Sequence, residues 1–498
     1  MTRFSFPSLG IRLLIPLILA SLLGISALPH LVDQAFKKAR WAIESKSPLA
    51  VSAAVASAAE TSAAASSMAA SSAAEAAVAI SQVAARFPWR ADLWELAGTY
   101  SLKGGDSQTA SEHLQRAAAA GMLSPQGLMA LGDARRLNGD LVAAIQTWES
   151  ALRAGGPADE LHLRLAQAHR QLGSYPAAIA DLQAYLNLHP TDAARHYQLG
   201  LLLAAHQPEA ALAHLIQAGD LDPVLAPKVK VLQRSIASAR RSEDTAYILL
   251  ASGRALATLE EWELAAQAFS QVVKFRPDYA EAWAFLGEAR QHIDADGLPA
   301  IQKALALDPD SVAANTFLAL YWQRKDRYDL ALVYLHTASR LDPDNPTLQT
   351  EIGKALASLG NLSAAQSHYQ RATELAPRDA TYWRLLATFS INYEIELRQV
   401  GLPAARQAVI IGPSDPAALD VMAQVFILLE DLLSAHRFLQ RALHADPGYA
   451  PARLHLGLLF LLKGEASRAR QELELARSLS GPDDATAEHA QRLLDQIP

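Results

Sequence analysis

The chain has 498 residues, a formal net charge of −7 and no cysteine, which excludes disulfides, thiolate metal sites, cysteine nucleophiles and a lipid-modified cysteine. Residues 1–46 carry six Lys/Arg against two Asp/Glu, so the remainder of the chain carries −11. Such an acidic body argues against nucleic acid as a partner.

An apolar segment without charged residues covers 13–32 and follows a basic flank, 1–12, that contains Arg3 and Arg12. About 20 apolar residues are enough to span a bilayer as a helix. The small residues near its end form only a marginal cleavage site. We therefore predict an uncleaved signal anchor, a single transmembrane helix, over 13–32. A cleaved signal peptide and a buried helix of the body are the alternatives.

The orientation of this anchor depends on the charges around it. Arg3 and Arg12 favour a cytoplasmic N-terminus, whereas Lys37, Lys38 and Arg40 follow the apolar segment and compete with them. We predict a single-pass membrane protein whose body lies outside the cytoplasmic membrane.

The segment 33–90 is juxtamembrane and rich in alanine and serine, which make up 25 of the 35 residues from 47 to 81. Alanine has the highest helix propensity, so this composition favours a helix over a flexible linker. Ala76, Ile80 and Val83 fall on one stripe, which makes the segment a possible degenerate repeat.

A two-helix pattern recurs through the rest of the chain, and it is most regular in 312–343 and 346–377. Each copy has an apolar stripe with steps of three or four, a polar turn, a second stripe and a closing proline. Proline disfavours helical dihedral angles at the residue before it, so the second helix ends there. Each copy is therefore predicted to be a helix-turn-helix unit.

The same unit recurs at nearly constant spacing along the chain. A small residue, such as Gly253 or Gly287, occupies the eighth position of each first helix, where the two helices of a unit must approach closely. The predicted units begin near residues 91, 125, 159, 193, 246, 280, 312, 346, 380, 416 and 450.

The period, the paired helices, the small crossing residues and the closing proline resemble the tetratricopeptide repeat family, in a membrane-anchored bacterial form. The resemblance implies an all-α fold, a right-handed α-solenoid of about eleven two-helix repeats. Four repeats would occupy 91–225 and seven 246–482.

Two segments add to this array. An inserted basic helix is predicted over 226–245, with apolar residues on one face and lysine and arginine elsewhere. It is either a spacer that packs between two blocks of repeats or a helix that binds a partner. A polar-faced helix over 483–498 is predicted to cap the array, as terminal repeats require for solubility.

In this family, positions two, five, nine and twelve of the first helices face a concave groove. The resemblance thereby implies a protein or peptide ligand, and the candidate residues of the groove are Arg170, Tyr197, Leu201, Tyr247, Leu250, Arg254, Lys354 and Arg384. The two tyrosines could instead pack against the inserted helix. Repeat one has Glu95 and Thr99 where the family's carboxylate clamp needs Lys and Asn, so the acidic tail of a chaperone is disfavoured as the ligand.

Motifs for catalysis are missing from the sequence: it contains no phosphate-binding loop, dinucleotide fingerprint, HExxH or GxSxG. The turn 292–297 resembles a fragment of a calcium loop, but His292 and Lys303 occupy positions that need carboxylates. We predict a tight turn there, no metal, no cofactor and no catalytic residue.

These observations favour a non-enzymatic, membrane-anchored scaffold that binds a protein segment in its groove, in bacterial envelope assembly. The alternative is an accessory subunit of a separate enzyme complex for cell-surface polysaccharide or secretion. The oligomeric state is left open by the sequence.

Overall fold

The computed structural model describes residues 60–481 and 484–497. Within these ranges the chain forms 25 α-helices and no β-strand, which confirms the all-helical prediction. None of the helices in the described part is both long and apolar enough to cross a bilayer. The predicted anchor, 13–32, lies outside the described residues.

The helices from the first described residue to the inserted segment form ten elements. In chain order they are α1 (Glu60–Ala84), α2 (Ala91–Lys103), α3 (Ser107–Ala120), α4 (Pro125–Leu137), α5 (Leu141–Arg153), α6 (Ala158–Gln171), α7 (Tyr175–Leu188), α8 (Ala193–His206), α9 (Pro208–Leu221) and α10 (Ala226–Ala239).

Fifteen further helices follow a short 3₁₀ turn, Arg240–Ser242, and a π-helical turn, Leu397–Gly401, precedes α20. In chain order the helices are α11 (Thr245–Thr258), α12 (Trp262–Phe275), α13 (Ala280–Gln291), α14 (Leu298–Leu307), α15 (Val312–Gln323), α16 (Tyr328–Leu341), α17 (Pro346–Ser358), α18 (Leu362–Leu375), α19 (Ala380–Asn392), α20 (Leu402–Ile411), α21 (Pro416–Leu428), α22 (Leu432–Ala445), α23 (Ala450–Leu462), α24 (Ala466–Leu479) and α25 (Ala485–Leu494).

The chain divides into two compact units. One contains the described residues up to Leu203 together with Ala210–Val229, and the other contains Ala204–Glu209 together with the described residues from Lys230 onward. Within each unit, helices pair as consecutive antiparallel neighbours around small alanine-rich cores.

Side-chain caps fix where many of the helices begin. Asp140 accepts a hydrogen bond from the Ala143 amide at the start of α5, and Asp431 accepts one from the Ser434 amide at the start of α22. Such a cap satisfies a backbone donor that has no partner within the helix. Each first helix starts within one residue of its predicted position.

The small eighth residue has the predicted structural role. A Cβ added to Gly253 would lie 2.6 Å from Cε1 of Phe269, and one added to Gly287 would lie 2.8 Å from the Gly297 carbonyl oxygen. The second helix of each of these repeats thus occupies the space that a side chain would need.

The inserted helix, α10, buries the apolar face that the sequence predicts for it: Val229, Leu232 and Ile236 are all buried. Its basic residues Lys228 and Arg234 are exposed. The arrangement fits a packed helix with a solvated basic face, and a role of that face in binding stays a prediction.

The alanine-rich helix α1 packs on α2. Ala76 and Ile80 are buried and form a small core cluster with Ala97. The described part of the Ala/Ser-rich segment therefore has the helix and the buried stripe that a leading half-repeat requires.

Candidate functional site

The predicted groove residues of the first unit lie on α6 and α8. Arg170 and Tyr197 are half-buried. Leu201 is only 4% exposed. Leu201 is therefore a core residue that leaves almost no area for a ligand, whereas the other two stay candidates.

The second unit begins with three predicted groove residues on α11. Tyr247 is 44% exposed and Leu250 is fully buried at 0%. Tyr247 thus keeps a large part of its ring available to a ligand. The inserted helix α10 contacts α11 elsewhere, where the Ser235 hydroxyl donates to the Ala251 carbonyl at 2.8 Å. Leu250, like Leu201, belongs to the core.

Arg254 is held by two neighbours on α13. Its Nη1 donates to Oε1 of Glu281 at 3.1 Å, and its guanidinium lies 5.0 Å from the ring centroid of Phe285. The ion pair joins groove position nine of one repeat to position two of the next. Since 53% of the Arg254 side chain is exposed, the guanidinium keeps a free side for a ligand.

A buried carboxylate follows on the same helix, in what we term the Glu288 cluster (Glu288, Gln291, His292 and Arg324). Glu288 is only 6% exposed. It accepts hydrogen bonds from Arg324 and lies 3.1 Å from Nε2 of His292. The His292 ring also stacks on Trp262, with centroids 3.7 Å apart. The turn 292–297 is therefore tied to the repeat core.

Lys354 and Arg384 complete the predicted set. Lys354 on α17 is exposed, and no ion pair joins it to another described side chain. Nη1 of Arg384 on α19 lies 3.9 Å from Oδ2 of Asp415, and 29% of the arginine side chain is exposed. Its Nε is buried and has no hydrogen-bond partner among the described residues. Because Nε is closed to solvent, a ligand could reach only the exposed part of the Arg384 guanidinium.

A second buried carboxylate lies in the last repeats, in what we term the Asp420 cluster (Asp420, Gln424 and His455). Asp420 is 2% exposed. Its Oδ2 accepts from Nε2 of Gln424 at 3.0 Å, and its Oδ1 lies 2.7 Å from Nδ1 of His455. Burial opposes protonation of His455, but the charge of Asp420 and its hydrogen bond raise the pKa of the imidazole above its ordinary value.

The same carboxylate acts on a neighbouring tyrosine. Burial, followed by the negative charge of Asp420, raises the pKa of Tyr449 to about 12, while the positive charge of Arg384 opposes the shift. Tyr449 is thus a neutral hydroxyl near neutral pH.

Three of these residues escaped the sequence-based assignment. Arg324 is the C-cap of its helix and follows position twelve, and His455 stands at position six. Only Asp420, at position five, could have been found from the sequence. It stands among apolar neighbours, and a carboxylate buried among apolar residues requires a partner. The histidine that supplies it is 35 residues away.

The groove positions offer arginine and lysine donors, an exposed tyrosine and carboxylates that are already paired. In the ranges that the structure describes, no group of three or more His, Cys, Asp or Glu side chains is arranged to hold a metal ion. These side chains can contact a ligand through hydrogen bonds, charge and aromatic surface.

Comparison with protein families identifies the repeats. One tetratricopeptide repeat model matches residues 324–388. A second tetratricopeptide repeat model matches residues 95–160, 129–193 and 422–485. The chain thus contains tetratricopeptide repeats in both units, as the sequence pattern predicted.

Solved structures with similar helical repeats include three from named organisms. Yeast Tom70 is 14% identical with a TM-score of 0.34, over 75% of this chain and 95% of that one. Pseudomonas aeruginosa PilF is 18% identical with a TM-score of 0.34, over 43% and 98%. MamA from Desulfovibrio magneticus RS-1 is 20% identical with a TM-score of 0.29, over 35% and 97%. No curated protein sequence matches the chain. The TM-scores are low, so the repeat models alone identify the repeats.

Proposed function

We propose that this chain, which contains tetratricopeptide repeats, is a non-enzymatic scaffold that binds an extended segment of a protein partner along its first helices. The observation that carries the proposal is Arg384: 29% of its side chain is exposed, and its Nη1 lies 3.9 Å from Oδ2 of Asp415, which is beyond hydrogen-bond distance. A carbonyl or carboxylate of a bound segment would accept from the exposed part of this guanidinium. Arginine anchors of this kind often dominate binding energy.

Two further positions support a ligand on the same set of helices. Tyr247 keeps 44% of its surface exposed, and aromatic side chains supply a large contact area at a low cost in conformational entropy. Lys354 is exposed. A segment that carries both acceptors and apolar side chains would match this mixed surface.

The membrane context of the proposal rests on the sequence. The apolar segment 13–32, preceded by Arg3 and Arg12, would anchor the chain as a single-pass protein with the repeats outside the cytoplasmic membrane. Such a chain would hold its partner at the membrane surface, in assembly of the bacterial envelope.

Site-specific crosslinking would test the proposal. A photo-reactive residue at Tyr247 or at Arg384, in the full chain in its native membrane, is expected to capture a discrete protein. The same residue at Val333, which is 59% exposed on the second helix α16, is the matched control. Equal products from all three positions, or none from the groove positions, would contradict the proposal.

The identity of the captured chain separates the two functions that the sequence left open. Several partners that share a peptide-like segment would support the scaffold. A single enzyme captured in stoichiometric amounts would instead assign the chain as an accessory subunit.

A further inference from the structure

A basic surface lies on the second helix α22, which the first-helix groove does not include. Arg437, Gln440, Arg441 and His444 follow one another with steps of three, one and three, so they share a face of the helix, and all four are exposed. This face carries no acidic side chain between its first and last residues.

These residues form one wall of an open cleft of about 740 Å³, which we term the α22 cleft. The other lining residues are Pro413, Ser414, Leu419 and Ala445. Leu419 is only 1% exposed and belongs to the core behind the cleft. None of the lining residues is acidic, although the chain as a whole has a net charge of −7.

The position of Arg441 is fixed by its surroundings. Its Nη2 donates to the Pro413 carbonyl at 3.2 Å, and its guanidinium lies 5.1 Å from the ring centroid of Phe438. These contacts use one edge and one face of the guanidinium. An arginine held in this way loses less entropy when its remaining donors bind a ligand.

The nearest carboxylates in the sequence are engaged with the backbone. Asp415 accepts from the Ala417 amide at 3.0 Å, and Asp446 accepts from the Gly448 amide at 2.9 Å. Asp431 caps α22, where its hydrogen bonds with Ser434, and more weakly the charge of Arg437, lower its pKa. None of these carboxylates lines the cleft.

We propose that the α22 cleft binds an acidic segment of a partner polypeptide. Guanidinium groups pair with carboxylates through two parallel hydrogen bonds, and Arg437 and Arg441 stand one helical turn apart. Gln440 and Ser414 can bond the backbone of the segment, and the exposed Pro413 offers an apolar contact.

The shape and charge of the surface select this ligand class. Small molecules are usually enclosed by pockets that bury most of their surface, whereas this cleft is open and has two arginines on its wall. Nucleic acid is disfavoured, because it is bound through many phosphate contacts and this face offers only two arginines. The cleft lies on a second helix, so its ligand is independent of the one proposed for the first helices.

Binding of labelled hexaglutamate to the full chain, followed by fluorescence anisotropy at low salt, tests the inference. The double variant Arg437→Glu and Arg441→Glu is expected to bind about tenfold or more weakly, since repulsion replaces two attractive pairs. The control is Arg340→Glu with Arg378→Glu, which changes the net charge equally at two exposed arginines outside the cleft.

The melting temperatures of both double variants show whether each is folded. They should match that of the unmodified chain, because substitutions of exposed residues rarely destabilise a protein. The inference is overturned if the unmodified chain does not bind hexaglutamate or if both double variants lose binding equally. It is also overturned if inorganic phosphate, or a single-stranded DNA oligonucleotide, binds the cleft more tightly than the peptide. Loss of crosslinking at Tyr247 and Arg384 would leave it unaffected.

Discussion

Nδ1 of His455 lies 2.7 Å from Oδ1 of Asp420, and the two residues come from the first helices of consecutive repeats. Asp420 is 2% exposed, so the carboxylate depends on the imidazole and on Gln424 for its hydrogen bonds. The pair links the stability of the last repeats to pH.

The sign of this linkage follows from the pKa of His455, which Asp420 raises above the ordinary value of 6.5. The stabilisation is fully present below the pKa of the unfolded chain and is lost as the pH rises through the pKa of the folded chain. His455→Gln is expected to lower the free energy of unfolding by about 1–3 kcal/mol near pH 5.5 and by less near pH 8.5.

Urea unfolding of the two chains at both pH values measures this difference. Burial, Arg492 and the charge of His455 lower the pKa of His489, so His489 is replaced by glutamine in both chains. Comparing the two chains at the same pH then removes the contribution of the other histidines. His444→Gln, at an exposed position, is the control and should cost little. An equal cost of His455→Gln at both pH values would argue against a charged pair.

The close helix crossing at Gly287 predicts that an alanine there lowers the stability of the protein. In Gly287→Ala the new Cβ would lie 2.4 Å from Cγ1 of Ile301 and 2.8 Å from the Gly297 carbonyl oxygen. Overpacking of this kind costs about 1–3 kcal/mol, which exceeds the roughly 1 kcal/mol that alanine gains in helix propensity. Thermal unfolding should show a lower melting temperature.

Gly219→Ala is the matched control, because Gly219 also lies inside a helix but its Cβ would meet no atom closer than 3.6 Å. This substitution should be neutral or stabilising. If both alanine variants melt alike, close approach is not the reason for glycine at the eighth position.

Replacing Tyr247 and Arg254 should weaken binding of the partner without lowering the melting temperature of the chain. Replacing both with alanine should weaken capture of the partner by about 2 kcal/mol or more, as loss of an aromatic or arginine anchor does. The melting temperature should change little, since Tyr247 is 44% exposed and the Arg254–Glu281 ion pair lies at the surface. Lowered melting with intact capture would show that the residues serve packing alone.

Arg384→Lys tests the guanidinium, because lysine keeps the charge and lacks the planar fork of donors. Capture of the partner should weaken by about 2 kcal/mol, with little change in melting temperature, as no described residue loses a hydrogen bond to Nε. Arg378→Lys, at an exposed position six residues earlier, should leave capture unchanged. Equal capture by both variants would exclude the Arg384 guanidinium as a binding group.

The apolar segment 13–32 predicts that the full chain stays in the membrane fraction after high-salt and carbonate washes. A version of the chain that starts at Ala91 should be recovered in the soluble fraction. Immunoblots of the washed fractions give the result. Release of the full chain by carbonate would count against a transmembrane anchor.

The sequence by itself determined the repeat, because its causes are local. Apolar steps of three and four, the capping aspartates and the closing prolines act within one or two helical turns, and the first helices begin within one residue of the predicted positions. The buried face of α10 was predicted for the same reason. The eighth-position glycines were predicted because adjacent helices of one repeat must cross.

Only the tertiary structure decided which groove positions are open. Leu201 and Leu250 follow the same positional rule as Tyr197 and Tyr247 but are 4% and 0% exposed, because the neighbouring helices set the depth of each side chain. The packing of neighbouring helices also decides which ion pairs join successive repeats. Arg324 reaches Glu288 across 36 residues and His455 reaches Asp420 across 35, and such partners depend on how successive repeats pack, which no local pattern of residues encodes.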